Sequence, residues 1–439
     1  VATVRTAYSP AALRHRLPFA LAVALSVFAA ASASTVVAPS PAHAGARHSG
    51  VVSENPVNWT PHVLDGSVTT IAEAGGLVVA AGDFTEVSDP EGEDTLERDR
   101  IFAFEPGTGE ISSTFRPEVD GTIRSVVPGP GRTVFIGGRF EHVNGEPHRG
   151  LALLSTVDGE PVDGFSASID NGSVYRLAAH GGQLYAGGSF TSVNGTERTG
   201  VARFDADTGE LDKGLDITIS EPRRGDLRVG ELAVSPSGDK LVIAGTFTKV
   251  EGKGRYQIAV INTGSTPARL SNWSTSAYSK PCDYERMNTY LRQIDFAPDG
   301  SYFVVATAGG PSIKEGICKT VARWESNGPA GADPTWVNHT GGDAVYSVAA
   351  TGAAVYVGGH QRWMDNPEGQ HDAGPGAVER EGIGAIDPRT GKALPWNPGR
   401  ERGHGAEALL ATADGLYVGS DTTRLGGEYK GRIGMFPLR

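Results

Sequence analysis

Within six positions the chain places His360, Arg362, Trp363 and Asp365, joining a titratable ring and a carboxylate to a cation and a large aromatic surface. A histidine near a carboxylate can move protons, and an arginine near a tryptophan can hold an anionic or planar group. A second run, STSAYSKPCDYERMNTY, supplies Tyr278, Asp283, Tyr284 and Arg286. If consecutive units of the chain stack side by side, both runs reach one face, where long loops on a rigid frame make a binding surface. No GxSxG elbow, HExxH pair or paired-carboxylate motif accompanies them, so the residues specify no reaction and no catalytic group. Loops that brace the frame account for the same runs.

The segment SDPEGEDTLERDR crowds Asp89, Glu91, Glu93 and Asp94 into one loop beside Glu97 and Asp99. Their repulsion is relieved either by solvation or by Ca²⁺, which takes oxygen ligands from flexible loops, although the spacing is not that of an EF-hand. Calcium is the one cofactor these residues suggest. Cys282 and Cys318 are the only cysteines. In an oxidising compartment they are expected to pair, and two cysteines without a matching histidine pattern do not make a metal site.

The residues that would position these groups begin after a processing segment. Arg5, Arg14 and Arg16 precede the apolar run LPFALAVALSVFAA and the small-residue stretch Ala42-His43-Ala44. That order reads as a secretory signal peptide over 1–44, followed by a short flexible lead over 45–57 and one domain over 58–439. The expected product is secreted and extracellular, without a membrane span after processing. In 439 residues, 60 Gly and 27 Pro leave little room for long helices, and a formal charge of −12 argues against nucleic acid as the general partner.

Self-similarity organises the rest. The stretches LVVAAGDFTEV, TVFIGGRFEHV, QLYAGGSFTSV and KLVIAGTFTKV share a strand, a glycine and a phenylalanine, at Gly82 and Phe84, Gly138 and Phe140, Gly188 and Phe190, and Gly245 and Phe247. Weaker copies surround Thr307, Gly359 and Ser420, giving a period of roughly 56 residues. A strand precedes each copy and another follows it, ending in turns such as Thr108-Gly109 and Thr208-Gly209. The expected fold is all-β: a seven-bladed β-propeller of four-stranded antiparallel blades. The last unit, GRIGMFPLR, lacks an outer strand, so a strand near Trp59 at the other end is expected to complete it and remove a free edge. Phe84, Phe140, Phe190, Phe247, Trp59 and Trp396 are expected to pack between blades rather than to stack on a ligand.

The units V-x-x-G-x-F-x-x-V and A-x-F/I-D-x-x-T-G resemble the propeller repeats of secreted bacterial proteins, especially actinobacterial ones of uncharacterised function, over about residues 58–439. The Thr-Gly element also resembles quinoprotein-type repeats, although the adjacent cysteine pair that those enzymes use beside their cofactor is absent. The first resemblance implies an extracellular binding or scaffold module for a glycan, peptide or protein. The alternative is a secreted propeller enzyme, either a polymer hydrolase or lyase or a quinone-type oxidoreductase.

Overall fold

The computed structural model describes residues 46–280, 282, 287–309 and 316–439. The segment read as a signal peptide lies outside the described residues, and one compact unit holds Pro39–Arg439. No helix among the described residues is long and apolar enough to cross a membrane. The fold is all-β, a multi-bladed, propeller-like arrangement of antiparallel sheets.

In chain order, sheets 1 to 7 open with the strands Val68–Ala74, Thr122–Pro128, Val174–His180, Val229–Val234, Leu291–Phe296, Val345–Ala350 and Ala406–Ala411. Each first strand pairs with the strand after it, which in turn pairs with a third. Second and third strands such as Leu77–Gly82 and Ile101–Phe104 are apolar at nearly every position and buried on both faces. Burial on both faces requires cover from both neighbours. One core cluster accordingly joins Val127 and Phe135 of sheet 2 to Leu177 and Phe204 of sheet 3, and another joins Tyr417 of sheet 7 to Val68 and Val78 of sheet 1. Each first strand lies beside the next first strand, and Ala406–Ala411 lies beside Val68–Ala74.

The outer position differs from the expected fourth strand. It is a strand in sheets 4 and 5, Arg269–Leu270 and Trp336–His339, but shrinks to single bridges at Ile111, Pro161, Leu211 and Ala393. Beyond that bridge the chain turns inward and buries a large apolar side chain, Phe115, Phe165, Leu215 or Trp396, which removes the backbone from the ladder. Phe84, Phe140, Phe190 and Phe247 are also buried, whereas Trp59 is half-buried with its ring edge-on to Tyr417.

Residues 46–57 are not the flexible lead expected from the sequence. The Ser53 and Val57 amides donate to the Pro437 and Met435 carbonyls at 2.8 and 2.9 Å, alongside the final strand Ile433–Pro437. Val52 is buried, its amide donates to the Tyr356 hydroxyl, and the Trp396 indole donates to the Ser53 carbonyl. The free edge of the last sheet captures the segment because its carbonyls would otherwise lack donors.

A repeated arginine braces four of the sheets beside their outer decoration. Arg98, Arg198, Arg255 and Arg380 stand three residues before Ile101, Val201, Ile258 and Ile383, and each Nη1 donates to the carbonyl of the residue before it. In three of them Nη2 also reaches the outer position, at Ser112, Ser271 or Leu394. Sheet 5 has Cys318 at the same register, three before Val321. Cys318 is bonded to Cys282 with their Cα atoms 5.6 Å apart, so a covalent link occupies the place of the guanidinium.

Candidate functional site at the channel mouth

The site begins with a register irregularity. In every first strand the pairing skips one residue, between Val68 and Thr70, Ile123 and Ser125, Val174 and Arg176, Val229 and Glu231, Leu291 and Gln293, Val345 and Ser347, and Ala406 and Ala408. A bulge bends the strand and re-aims a side chain. It also brings the carbonyl before the strand against the repeated glycine: a Cβ on Gly82 or Gly188 would stand 1.8 or 2.2 Å from the oxygens of Ser67 or Ser173. The glycine is therefore required by close backbone approach, not by a positive φ.

Alignment on the bulge separates structural positions from variable ones. The residue before it is apolar and buried in all these strands, from Val68 to Ala406. The residue two after it is aliphatic in all: Ile71, Val126, Leu177, Leu232, Ile294, Val348 and Leu409. The skipped residue follows no such rule, reading Thr69, Arg124, Tyr175, Gly230, Arg292, Tyr346 and Glu407, and none of these is fully buried. Packing does not dictate it.

The first strands wall a cavity of about 560 Å³; Thr69 and Glu407 line it directly, and the other skipped residues stand at the starts of these strands, outside its lining and at its mouth. The Arg124 and Arg228 guanidiniums, from the sheets on either side, lie over the Tyr175 ring at 4.8 and 5.4 Å. Across the mouth, Tyr346 stacks on His404 with ring centroids 5.2 Å apart, and His404 Nδ1 is 2.8 Å from Glu407 Oε1. The Arg292 guanidinium is held below its ordinary pKa by burial and interacts electrostatically with Tyr346, Glu231, Arg228 and Glu407. Its Nε has no hydrogen-bond partner among the described residues. Tyr175 also lines an open groove with Arg139, Glu141, Arg149 and Ser189.

Deeper in the cavity, the residue after the bulge staples one sheet to the next. Thr70 Oγ1 and Ser125 Oγ accept from the Val126 and Leu177 amides, and Gln293 Oε1 accepts from Val348. Arg176 and Glu231 pair at 2.7 Å. Asp295, two positions farther on, accepts from the Ala350 amide at 2.7 Å. Burial pushes the Asp295 carboxyl up to about 7, against the opposing pull of the Ala350 and Phe296 amides and of Arg176. The sign follows directly. Between roughly pH 4 and 7 the unfolded carboxyl has lost its proton while the folded one keeps it, so the Asp295 contribution to stability declines as pH rises through this window. Asp295→Asn keeps an acceptor for Ala350 and is expected to stabilise the protein at pH 8 relative to wild type, with little gain at pH 4. Urea midpoints at both values check this, and a wild-type-like pH slope in the variant would refute it.

Of the loop residues singled out by sequence, the described ones do not assemble there. Tyr278 is fully buried and its hydroxyl accepts from the Trp324 indole, so it is a core residue rather than a surface contact. Asp283, Tyr284 and Arg286 lie outside the described residues. His360 Nδ1 donates to the Gly403 carbonyl at 2.7 Å, which makes Nε2 the acceptor for Arg402 Nη2 at 2.5 Å. Arg362 pairs with Asp343 at 2.9 Å and lies over the Trp363 ring at 4.5 Å. Asp365 occupies a positive-φ turn, as Asn144 and Asn194 do in other sheets, and accepts from Asn338 and the Ala393 amide. What looked like a departure from the repeat is its turn residue. His360 and Asp365 thus spend their hydrogen bonds on different partners and form no acid–base pair.

In the acidic loop Asp89 Oδ1 accepts from the Glu93 amide. Among the described residues no group of three or more His, Cys, Asp or Glu side chains gathers as metal ligands, Asp89, Glu91, Glu93 and Asp94 included. The mouth residues were missed because they are scattered along the chain. Laying the first strands in phase would have exposed the skipped position as one where packing does not dictate the residue type.

A family model described as a domain of unknown function (DUF5122) beta-propeller matches residues 182–214, which span the second and third strands of sheet 3. The solved structure of the WD40 beta propeller domain of Doa1 is 10% identical, with 87% of this chain and 95% of that one covered at a TM-score of 0.48. No curated protein matches the chain.

Proposed function

We propose that this chain is an exported, seven-bladed binding propeller that engages a glycan, peptide or protein at the mouth of its central channel. The observation that carries the reading is the bulge ring: an invariant scaffold presents a variable set dominated by Arg and Tyr, the residue types that dominate binding hot spots. The first strands, each beside the next and the last beside the first, support seven blades. The bonds from Ser53 and Val57 to the final strand support closure by the N-terminal segment. The disulfide and the composition of residues 1–44 support export into an oxidising compartment.

The test compares the full chain with an Arg124→Gln/Tyr346→Ala variant on peptide and glycan arrays. Saturable binding without product formation is expected, weakened about tenfold or more in the variant. Binding that is unchanged in the variant, or that comes with turnover, overturns the reading.

A further inference from the structure

The mouth has a charge opposite to that of the molecule around it. Among the described residues, Arg124, Arg228 and Arg292 form no salt bridge, whereas Arg176 is paired with Glu231; Arg292 interacts at longer range with Glu231 and Glu407. Two guanidiniums without an ion pair, Arg124 and Arg228, therefore flank Tyr175 at the mouth, with Arg292 interacting with Arg228, in a chain of formal charge −12. Like charges gathered in this way repel, and an incoming carboxylate relieves that repulsion while satisfying free N–H donors such as Arg292 Nε. The aromatic rings do not offer the open faces on which sugars stack. Guanidiniums cover Tyr175, and His404 covers Tyr346.

We infer that the mouth takes an acidic peptide segment whose carboxylates engage Arg124, Arg228 and Arg292; this rests on the channel-mouth reading. The adjoining groove past Tyr175 carries charges of both signs, Arg139 and Arg149 with Asp120 and Glu141, so the arginines around Tyr175 are the part of the face that selects for carboxylates. The guanidinium fork suits carboxylate geometry, and an extended peptide brings carboxylates at a spacing it can adjust.

The experiment titrates the full chain with three probes in low salt by calorimetry: an octaglutamate peptide, an octaglutamine peptide and an oligogalacturonate of similar length. Octaglutamate is expected to bind saturably and octaglutamine not to bind. Affinity for octaglutamate should fall about tenfold in Arg124→Gln, fall further with Arg228→Gln added, and weaken with salt. Arg124 is exposed, so its variant tests recognition without loss of the fold. If octaglutamine binds as tightly, or if only the oligogalacturonate binds and the Arg124→Gln variant loses it, the acidic-peptide inference fails while the mouth remains a binding site. If no probe binds, the inference also fails, and the array comparison decides the broader reading independently.

Discussion

Deleting residues 51–58 is expected to lower stability by about 5 kcal/mol and to leave a chain that self-associates. The deletion exposes the Pro437 and Met435 carbonyls along the last strand, removes buried Val52, and strips partners from the Tyr356 hydroxyl and the Trp396 indole. Burial of one valine contributes roughly 2 kcal/mol, and each enclosed polar group left unpaired costs roughly 1 kcal/mol or more. The thermal midpoint should fall by roughly 10 °C, and size-exclusion should show dimers or larger species. A synthetic peptide of residues 48–60 added in trans should restore part of the midpoint, because an open sheet edge accepts an extended strand. A deleted chain that stays monomeric with an unchanged midpoint would show that the ring does not depend on this segment.

Reduction of the Cys282–Cys318 bond is expected to have the next largest effect, about 4 kcal/mol for a link closing 36 residues. The cost arises mainly in the unfolded chain, which regains the freedom of that loop. Sheet 5 has a second reason to need the bond. At the register of Cys318 three other sheets place an arginine whose Nη2 ties the decoration to the sheet, and in sheet 5 the disulfide stands at that position. Denaturation midpoints with and without reductant should therefore differ in wild type and coincide in Cys282→Ser/Cys318→Ser. Equal wild-type midpoints under the two conditions would refute a stabilising role.

The repeat, the turns and the buried anchors were legible because they depend on local chemistry. A glycine, a phenylalanine two residues later and a Thr-Gly turn recur whenever the chain builds a strand pair, and they can be read one unit at a time. Asp365 shows the limit of that reading. As a lone polar residue near His360 it suggests chemistry, yet its positive φ and its bonds to Asn338 and Ala393 make it the counterpart of Asn144 and Asn194. Tyr278 misleads in the opposite direction: a tyrosine in a polar loop turns inward, and its hydroxyl accepts from the Trp324 indole.

By itself, then, the sequence determined an all-β chain of repeated sheets, because strand periodicity and turn residues are short-range properties. It also specified the two cysteines, though not that their bond would stand in for an arginine. Tertiary structure alone decided where the variable residues gather. Arg124, Tyr175, Arg228, Arg292, Tyr346 and Glu407 come from separate sheets and meet only when each bulged first strand lies beside the next around one channel. A bulge is a relation between two paired strands, and a mouth is a relation among all of them, so neither exists until the sheets assemble.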